Sequence, residues 1–298
     1  MPKQPLPIGQ PLAAITFILI SHWCLSTLDA SGKWVMAAGV PVLILVWVRY
    51  SVHFLITLSL VVPSRGWKVM RSQNPTAQLV RAGVMLLATA MFFMTLRHLP
   101  MAQATAINFL APLLVLMISP WLLHEPRHAS RWVAAGVAFL GMLIIIRPGG
   151  GLDPMGTVLG LLTACCFAGQ FLATRRVAQD DPLTTLIWSG MLGAVLLTLA
   201  MPFLLPAAVP ALQALGLLEW AVLVSTGLSG ALGHLFQIQA FRRAPASLLS
   251  PFMYVQIVAA TTIGWLIWGD FPDRLTWVGI GIICLSGMTI AMVEWRRK

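Results

Sequence analysis

The chain has 298 residues, of which 58% are hydrophobic and only 9% charged, with a mean hydropathy of +0.86 and a net charge of +10. A soluble domain of this length carries a charged surface of about a quarter of its residues, so the composition excludes one and lipid must take that place. The basic residues sit in small groups between apolar runs rather than on one solvated face, which argues against a nucleic-acid partner. Cys24, Cys165, Cys166 and Cys284 all lie inside apolar segments, without metal-ligand spacing, and read as small packing residues.

About 20 apolar residues cross a bilayer as a helix, and ten segments qualify in chain order. They are Pro11–Leu28, Val40–Val62, Ala77–Leu96, Ala102–Leu123 and Trp132–Ile146, then Gly156–Ala173, Leu183–Leu205, Leu217–Phe241, Ala246–Trp268 and Trp277–Val293. The N-terminal stretch has one lysine, several prolines and no small-x-small cleavage site, so the first run is expected to stay as a helix. The fifth is short unless it extends into its flanks. The uncharged stretch Leu183–Leu218 is too long for one span, and Pro202, Pro206 and Pro210 are expected to divide it into a helix, an apolar loop and the next helix. Trp34, Trp67, Trp121, Trp132, Trp220, Trp268, Trp277 and Trp295 fall near segment ends, where indole prefers the headgroup region.

Loop charges orient the bundle. With the N-terminus cytoplasmic, thirteen Lys and Arg lie inside and four outside (Lys33, Arg97, Arg147, Arg274), while Arg49 and Arg81 fall within spans. Cytoplasmic loops carry the positive excess, so both termini are predicted to be cytoplasmic.

Sliding the chain by 145 residues superimposes Arg97 on Arg242, Pro100 on Pro245, Trp132 on Trp277, Gly136 on Gly281 and Leu140 on Leu285; Glu125 meets Asp270, and Phe109 meets Tyr254. Residues 1–149 and 150–298 thus form two repeats of five helices each, and an odd number of helices inverts the second. The predicted fold is an all-α membrane protein of ten transmembrane helices, two inverted five-helix repeats around a central cavity. Inverted repeats recur in transporters, with substrate held near the midplane between the halves.

Leu110–Gly149 reads LAPLLVLMISPWLLHEPRHASRWVAAGVAFLGMLIIIRPG, a proline-bearing helix, a short acidic turn and a Gly-rich helix, with Ser250–Met288 as a second copy. This resembles the EamA-type repeat of the drug/metabolite transporter superfamily. Pro41 and the Arg49-Tyr50 pair in helix 2 resemble the family's proline followed by an arginine-aromatic step, and Trp23 sits where the family often has an aromatic, with Phe167 matching it in helix 6. The acidic turn departs from the pattern, reading His-Glu-Pro in one copy and Gly-Asp-Phe-Pro in the other. The resemblance implies a bacterial inner-membrane exporter of aromatic and other neutral amino acids, some relatives also passing flat organic cations, and a structural or gating role for Arg49. It implies no cofactor and no metal, with a small molecule and membrane lipids as partners of a monomer.

Polar groups at mid-depth in membrane helices usually face protein or a water-filled cavity. His22, Thr89, Thr105, Asn108, Gln170, His234, Gln237, Ser250, Tyr254 and Gln256 are such groups, and each could instead serve an interhelical hydrogen bond. His22, Trp23, Thr89, Asn108, Gln170, His234, Gln237, Ser250 and Tyr254 are the candidates for substrate binding. Amides can serve both poles of a zwitterion, and the faces of Trp23 and Tyr254 can hold a ring or a cation. Pro112 and Pro251, like Arg49, are candidate structural or gating positions. Arg81 reads as interfacial. Asp29 and Glu219 read as near span ends, leaving no carboxylate at the middle of any span and only His22 and His234 as proton carriers.

Gly227-Leu228-Ser229-Gly230 matches the nucleophile stretch of intramembrane serine proteases, but the base histidine must lie on another helix within reach of Ser229. His234 is five residues on along the same helix, and packing of small residues at a helix crossing explains the stretch better. The expected function is transport by alternating access rather than catalysis. Export of cationic drugs or nucleotide precursors is the second reading.

Overall fold

A computed structural model describes residues 10–122, 129–147, 152–244, 249 and 252–296. The described residues form an all-α bundle: α1 Gln10–Ala37, α2 Val42–Arg65, α3 Pro75–His98, α4 Met101–Asn108, α5 Leu110–Leu122, α6 Ala129–Ile146, α7 Pro154–Arg176, α8 Pro182–Gln213, α9 Leu217–Arg243, α10 Val255–Trp268 and α11 Arg274–Arg296. Six of them (α1, α2, α3, α7, α8 and α9) are each long and apolar enough to cross a membrane. α6, α10, α11 and the α4–α5 pair contribute the four shorter apolar segments, giving a multi-span membrane protein of about ten crossings.

Local sequence sets the boundaries. Asn74, Asp153 and Asp181 each cap the helix that follows, accepting from the backbone N–H of Ala77, Met155 and Leu183, and each is followed by proline at the first helical position. There proline's missing donor costs nothing and its fixed φ suits the helix. α10 ends at Gly269, whose φ of +72° is left-handed, a conformation glycine adopts without a Cβ penalty. Outward faces are apolar: Phe203 is 85% and Leu217 89% exposed, as lipid contact requires.

Two expectations about helix continuity are corrected. α8 runs unbroken through Pro202, Pro206 and Pro210. These prolines recur every four residues, so the missing N–H groups and the ring clashes fall on one face, and α8 absorbs them without forming a loop. Conversely, the fourth span is not one helix. It breaks at Phe109 (φ −66°, ψ −3°), between α4 and α5, because Pro112 cannot donate to the carbonyl of Asn108 one turn back. The ninth span carries an equivalent irregularity at Tyr254 (φ −66°, ψ −11°), and the two rings stack with centroids 4.9 Å apart.

The packing has internal symmetry. The 145-residue shift carries α1 onto α7, α2 onto α8, α3 onto α9, α4–α5 onto α10 and its preceding turn, and α6 onto α11. The most extensive helix pairs are α1 with α9 and α3 with α7, which that shift exchanges, followed by α6 with α11 and α2 with α8, which it maps onto themselves. This is the pattern an inverted repeat produces. At the α6–α11 crossing, Gly141 and Gly279 let each backbone approach the other, a Cβ at Gly141 lying 3.0 Å from the Gly279 carbonyl.

Candidate functional site

A cavity of about 230 Å³ lies between the repeats, walled by α1, α2, α3, the α4–α5 break, α7, α8, α9 and the start of α10. Six of the predicted substrate-binding residues meet there: His22, Thr89, Asn108, Gln170, His234 and Gln237, with Arg49 and Pro112 beside them. Six wall positions pair across the shift: His22 with Phe167, Leu25 with Gln170, Thr89 with His234, Phe92 with Gln237, Asn108 with Met253, and Ala111 with Gln256. The cavity therefore sits on the internal symmetry axis. In five of those pairs one partner is polar and the other apolar, so equal halves carry unequal linings.

The remaining predictions fare differently. Trp23 is 41% exposed and points away, because the cavity face of α1 is the row His22, Leu25 and Asp29, and Trp23 is turned about 100° from it. Tyr254 is absent from the wall. Its ring stacks on Phe109, and a Cβ at Gly287 of α11 would collide with its hydroxyl. Ser250 and Pro251 lie outside the described residues. Ser229 is half-buried on α9, away from the wall, while Gly227, Gly230 and Gly233 admit Val52, Leu28 and Leu25 from α2 and α1. These close approaches bring the Arg49 and Asp29 segments together.

Two charged residues were misplaced by sequence. Arg81 is not interfacial but buried: Nε donates to Thr174 Oγ1 at 2.9 Å and Nη1 to Ser189 Oγ at 2.5 Å, with Ser189 also lining the cavity. Asp29 is not at a span end. α1 continues for nine residues past Leu28, as far as Ala37, and this extension leaves Asp29 6% exposed within the helix and on the cavity wall. The helical row His22–Leu25–Asp29 was the available signal.

Polar geometry is only partly satisfied. His22 Nδ1 lies 3.2 Å from Gln256 Oε1, and Arg49 Nη1 donates to Thr89 Oγ1 at 3.1 Å, with Tyr50 OH 3.0 Å from the same hydroxyl. Nε2 of His22 and His234, Oδ1 of Asn108 and Nε of Arg49 are buried with no hydrogen-bond partner in the protein. Buried polar atoms are nearly always paired, so four unpaired ones on a single cavity wall are free to pair with the polar groups of a small molecule. Phe92, Phe109, Phe167 and Phe171 supply the apolar part of the wall. Among the described residues no three of His, Cys, Asp and Glu converge as a metal site would require.

The two ends of the bundle differ. At one, Lys33 Nζ donates to the Leu99 carbonyl (3.1 Å), pairs with Asp270 (3.6 Å) and lies over the Trp268 ring (5.0 Å), while Phe93, Leu96, Leu99 and Met101 fill the space beneath. Phe93, Arg49 and Asn108 of the wall lie five to seven residues from the helix termini at this end, and Arg81, Gln170, Ser189 and Gln237 lie six or seven residues, about 10 Å, from those at the other. At that end Asp180 accepts from Ser72 Oγ (2.5 Å), Gln73 N and Gln78 Nε2 (both 2.8 Å). Burial alone would raise its carboxyl, but those three donors outweigh burial and hold it below the usual range.

The sequence pattern of the EamA-like transporter family matches the chain twice, over residues 12–147 and 154–292. The chain belongs to that family. This EamA-like chain is 26% identical over 289 residues to the pseudopaline exporter CntI of Pseudomonas aeruginosa, covering 95% of this chain and 97% of that one. It is 26% identical over 262 residues to a riboflavin transporter of Vibrio cholerae (87% and 85% covered) and 25% identical over 230 residues to an S-adenosylmethionine uptake transporter of Rickettsia bellii (77% of each). A solved crystal structure superposes with a TM-score of 0.66, covering 97% of this chain and 99% of that one at 19% identity, and shares the fold. The chain is a small-molecule membrane transporter of EamA type.

Proposed function

We propose that this transporter exports small zwitterions, aromatic and other neutral amino acids foremost, by alternating access through the cavity between two inverted halves, residues 1–149 and 150–298. The observation that carries the reading is the wall itself: guanidinium groups of Arg49 and Arg81, one carboxylate at Asp29, and the unpaired atoms of His22, Asn108 and His234, beside four phenylalanines. A carboxylate matches a guanidinium, an ammonium matches Asp29, and a ring or branched side chain matches the phenylalanines. A volume of about 230 Å³ is below the roughly 300 Å³ at which drug-sized sites begin. Two arginines against one aspartate make the wall net positive, which disfavours a bare organic cation and any cationic drug. The relatives carry names of both exporters and uptake transporters, so the outward direction rests on the resemblance to amino-acid exporters.

The loop charges support cytoplasmic termini in a bacterial inner membrane. The end that carries Asp180 then faces the cytoplasm, and Lys33 and Asp270 stand at the outer end of what we read as a monomer. The test is a panel of labelled amino acids in liposomes holding the purified protein. Accelerated flux of phenylalanine, tryptophan or leucine is expected, and absence of flux for every neutral amino acid would sink the proposal.

A further inference from the structure

The carboxylate of Asp29 is 6% exposed, lines the cavity, and has no ion pair among the described residues. The basic groups near it each have another partner, and Arg49 keeps its Nε unpaired. Lys33, one turn along the same helix and the natural i,i+4 neutraliser, turns its ammonium to Asp270 and the Leu99 carbonyl. Arg49 acts on Asp29 electrostatically from α2, yet its Nη1 bonds to Thr89 and its guanidinium lies 4.8 Å from the Tyr50 ring centroid. Arg81 of α3 is held by Thr174 and Ser189. The other groups facing this part of the cavity are titratable or neutral: His22 on α1, His234 on α9 with His53 of α2 against it (ring centroids 5.8 Å), and Gln256 on α10.

Asp29 has the Gln256 amide beside it but no ion pair among the described residues; a carboxylate buried without an ion pair is costly, and intramembrane carboxylates mark ion and proton pathways. We propose that Asp29 is a proton-binding site coupled to transport, at which a proton and the ammonium group of the cargo alternate. Building on the zwitterion reading above, cargo binding from the cytoplasm displaces the proton, and after cargo leaves outside a proton returns on the same carboxylate, so one zwitterion moves out for one proton in. His22, seven residues earlier on the helix and tied to Gln256, stands on the same wall as a relay between Asp29 and the cavity mouth.

The test uses the full chain, reconstituted in liposomes, with labelled phenylalanine as the probe. Infrared difference spectra recorded as pH is stepped are expected to contain a protonated-carboxyl band that vanishes in Asp29→Asn and reappears at a shifted pH in Asp29→Glu. Imposing a pH gradient is expected to change wild-type phenylalanine flux at least tenfold, whereas the residual flux of Asp29→Asn is expected not to respond to it. A band that persists in Asp29→Asn, a variant flux that still follows the pH gradient, or accumulation driven by sodium instead would each overturn the inference. Wild-type protein that moves no neutral amino acid would refute the cargo reading, while the infrared band, which needs no cargo, would still decide whether Asp29 takes the proton.

Discussion

Arg49 shows how single residues divide between structure and function in this cavity. One of its terminal nitrogens is bonded to Thr89, Nε is unpaired, and its plane lies near the Tyr50 and Phe93 rings. Lysine keeps the charge but cannot fill three such roles from one ammonium. Arg49→Lys is therefore expected to lower flux roughly 10- to 100-fold, the equivalent of one charged hydrogen bond at about 1.5–3 kcal/mol, measured as initial rates in liposomes. The residues singled out in the sequence that line the cavity are those whose polarity conflicts with a lipid setting at any rotation of the helix: His22, Thr89, Asn108, Gln170, His234 and Gln237. Trp23 and Tyr254 were poor guides because an aromatic side chain is at home against lipid, core or ligand alike. Asp29 escaped because its position depended on where α1 ends, and Asp-Ala-Ser-Gly-Lys resembles a loop until tertiary packing extends the helix. In the loop between α7 and α8, Asp180 gives a pH signature. Its carboxyl is held below the ordinary value of about 3.9, so its contribution to stability is complete above that pH and is lost as pH falls through the depressed value. Asp180→Asn should lower the unfolding temperature at pH 7 and flatten its decline under acid, as a thermal melt in detergent at stepped pH would record.

Among the elements, the glycines of α9 and the break in the fourth span set the geometry. A Cβ at Gly227 would lie 2.9 Å from the Arg49 carbonyl, which is backbone and cannot step aside, whereas nothing lies within 4 Å of one at Gly281. Gly227→Ala should cost about 1–3 kcal/mol through overpacking, and Gly281→Ala should be neutral or gain up to about 1 kcal/mol of helix propensity. Comparing their thermal unfolding in one detergent separates the two, and equal melting temperatures would refute the packing account. Pro112→Ala restores a donor for the Asn108 carbonyl, and a straighter fourth span is expected to slow flux without loss of thermal stability. The ten apolar runs were readable because a bilayer sets their length, and the repeat was readable from Arg, Pro, Trp and Gly at fixed offset. Helix continuity was not: proline rules describe an isolated helix, and whether α8 bends through three prolines or the fourth span breaks at one is settled by the neighbouring helices.

At the scale of the whole molecule, closure at one end rests on few contacts. Lys33 alone joins α1 to the Leu99 carbonyl and to the Asp270 carboxylate. On the proposed topology, Lys33→Ala or Asp270→Asn should open this end, raising the labelling rate of a cysteine placed at Met85 by a membrane-impermeant reagent applied from outside. Unchanged labelling in both variants would show that the buried apolar layer of Phe93, Leu96 and Met101 closes that end without the ion pair.

The stacked rings of Phe109 and Tyr254 meet where the two repeats exchange, at equivalent breaks in equivalent helices. In the proposed cycle, exchange of the two halves gives each ring the surroundings of the other, and the pair differs by a single hydroxyl lodged against Gly287. That hydroxyl, with the unequal linings of the cavity, makes the two end states of such a cycle chemically distinct, so no symmetry of the fold holds them at equal free energy.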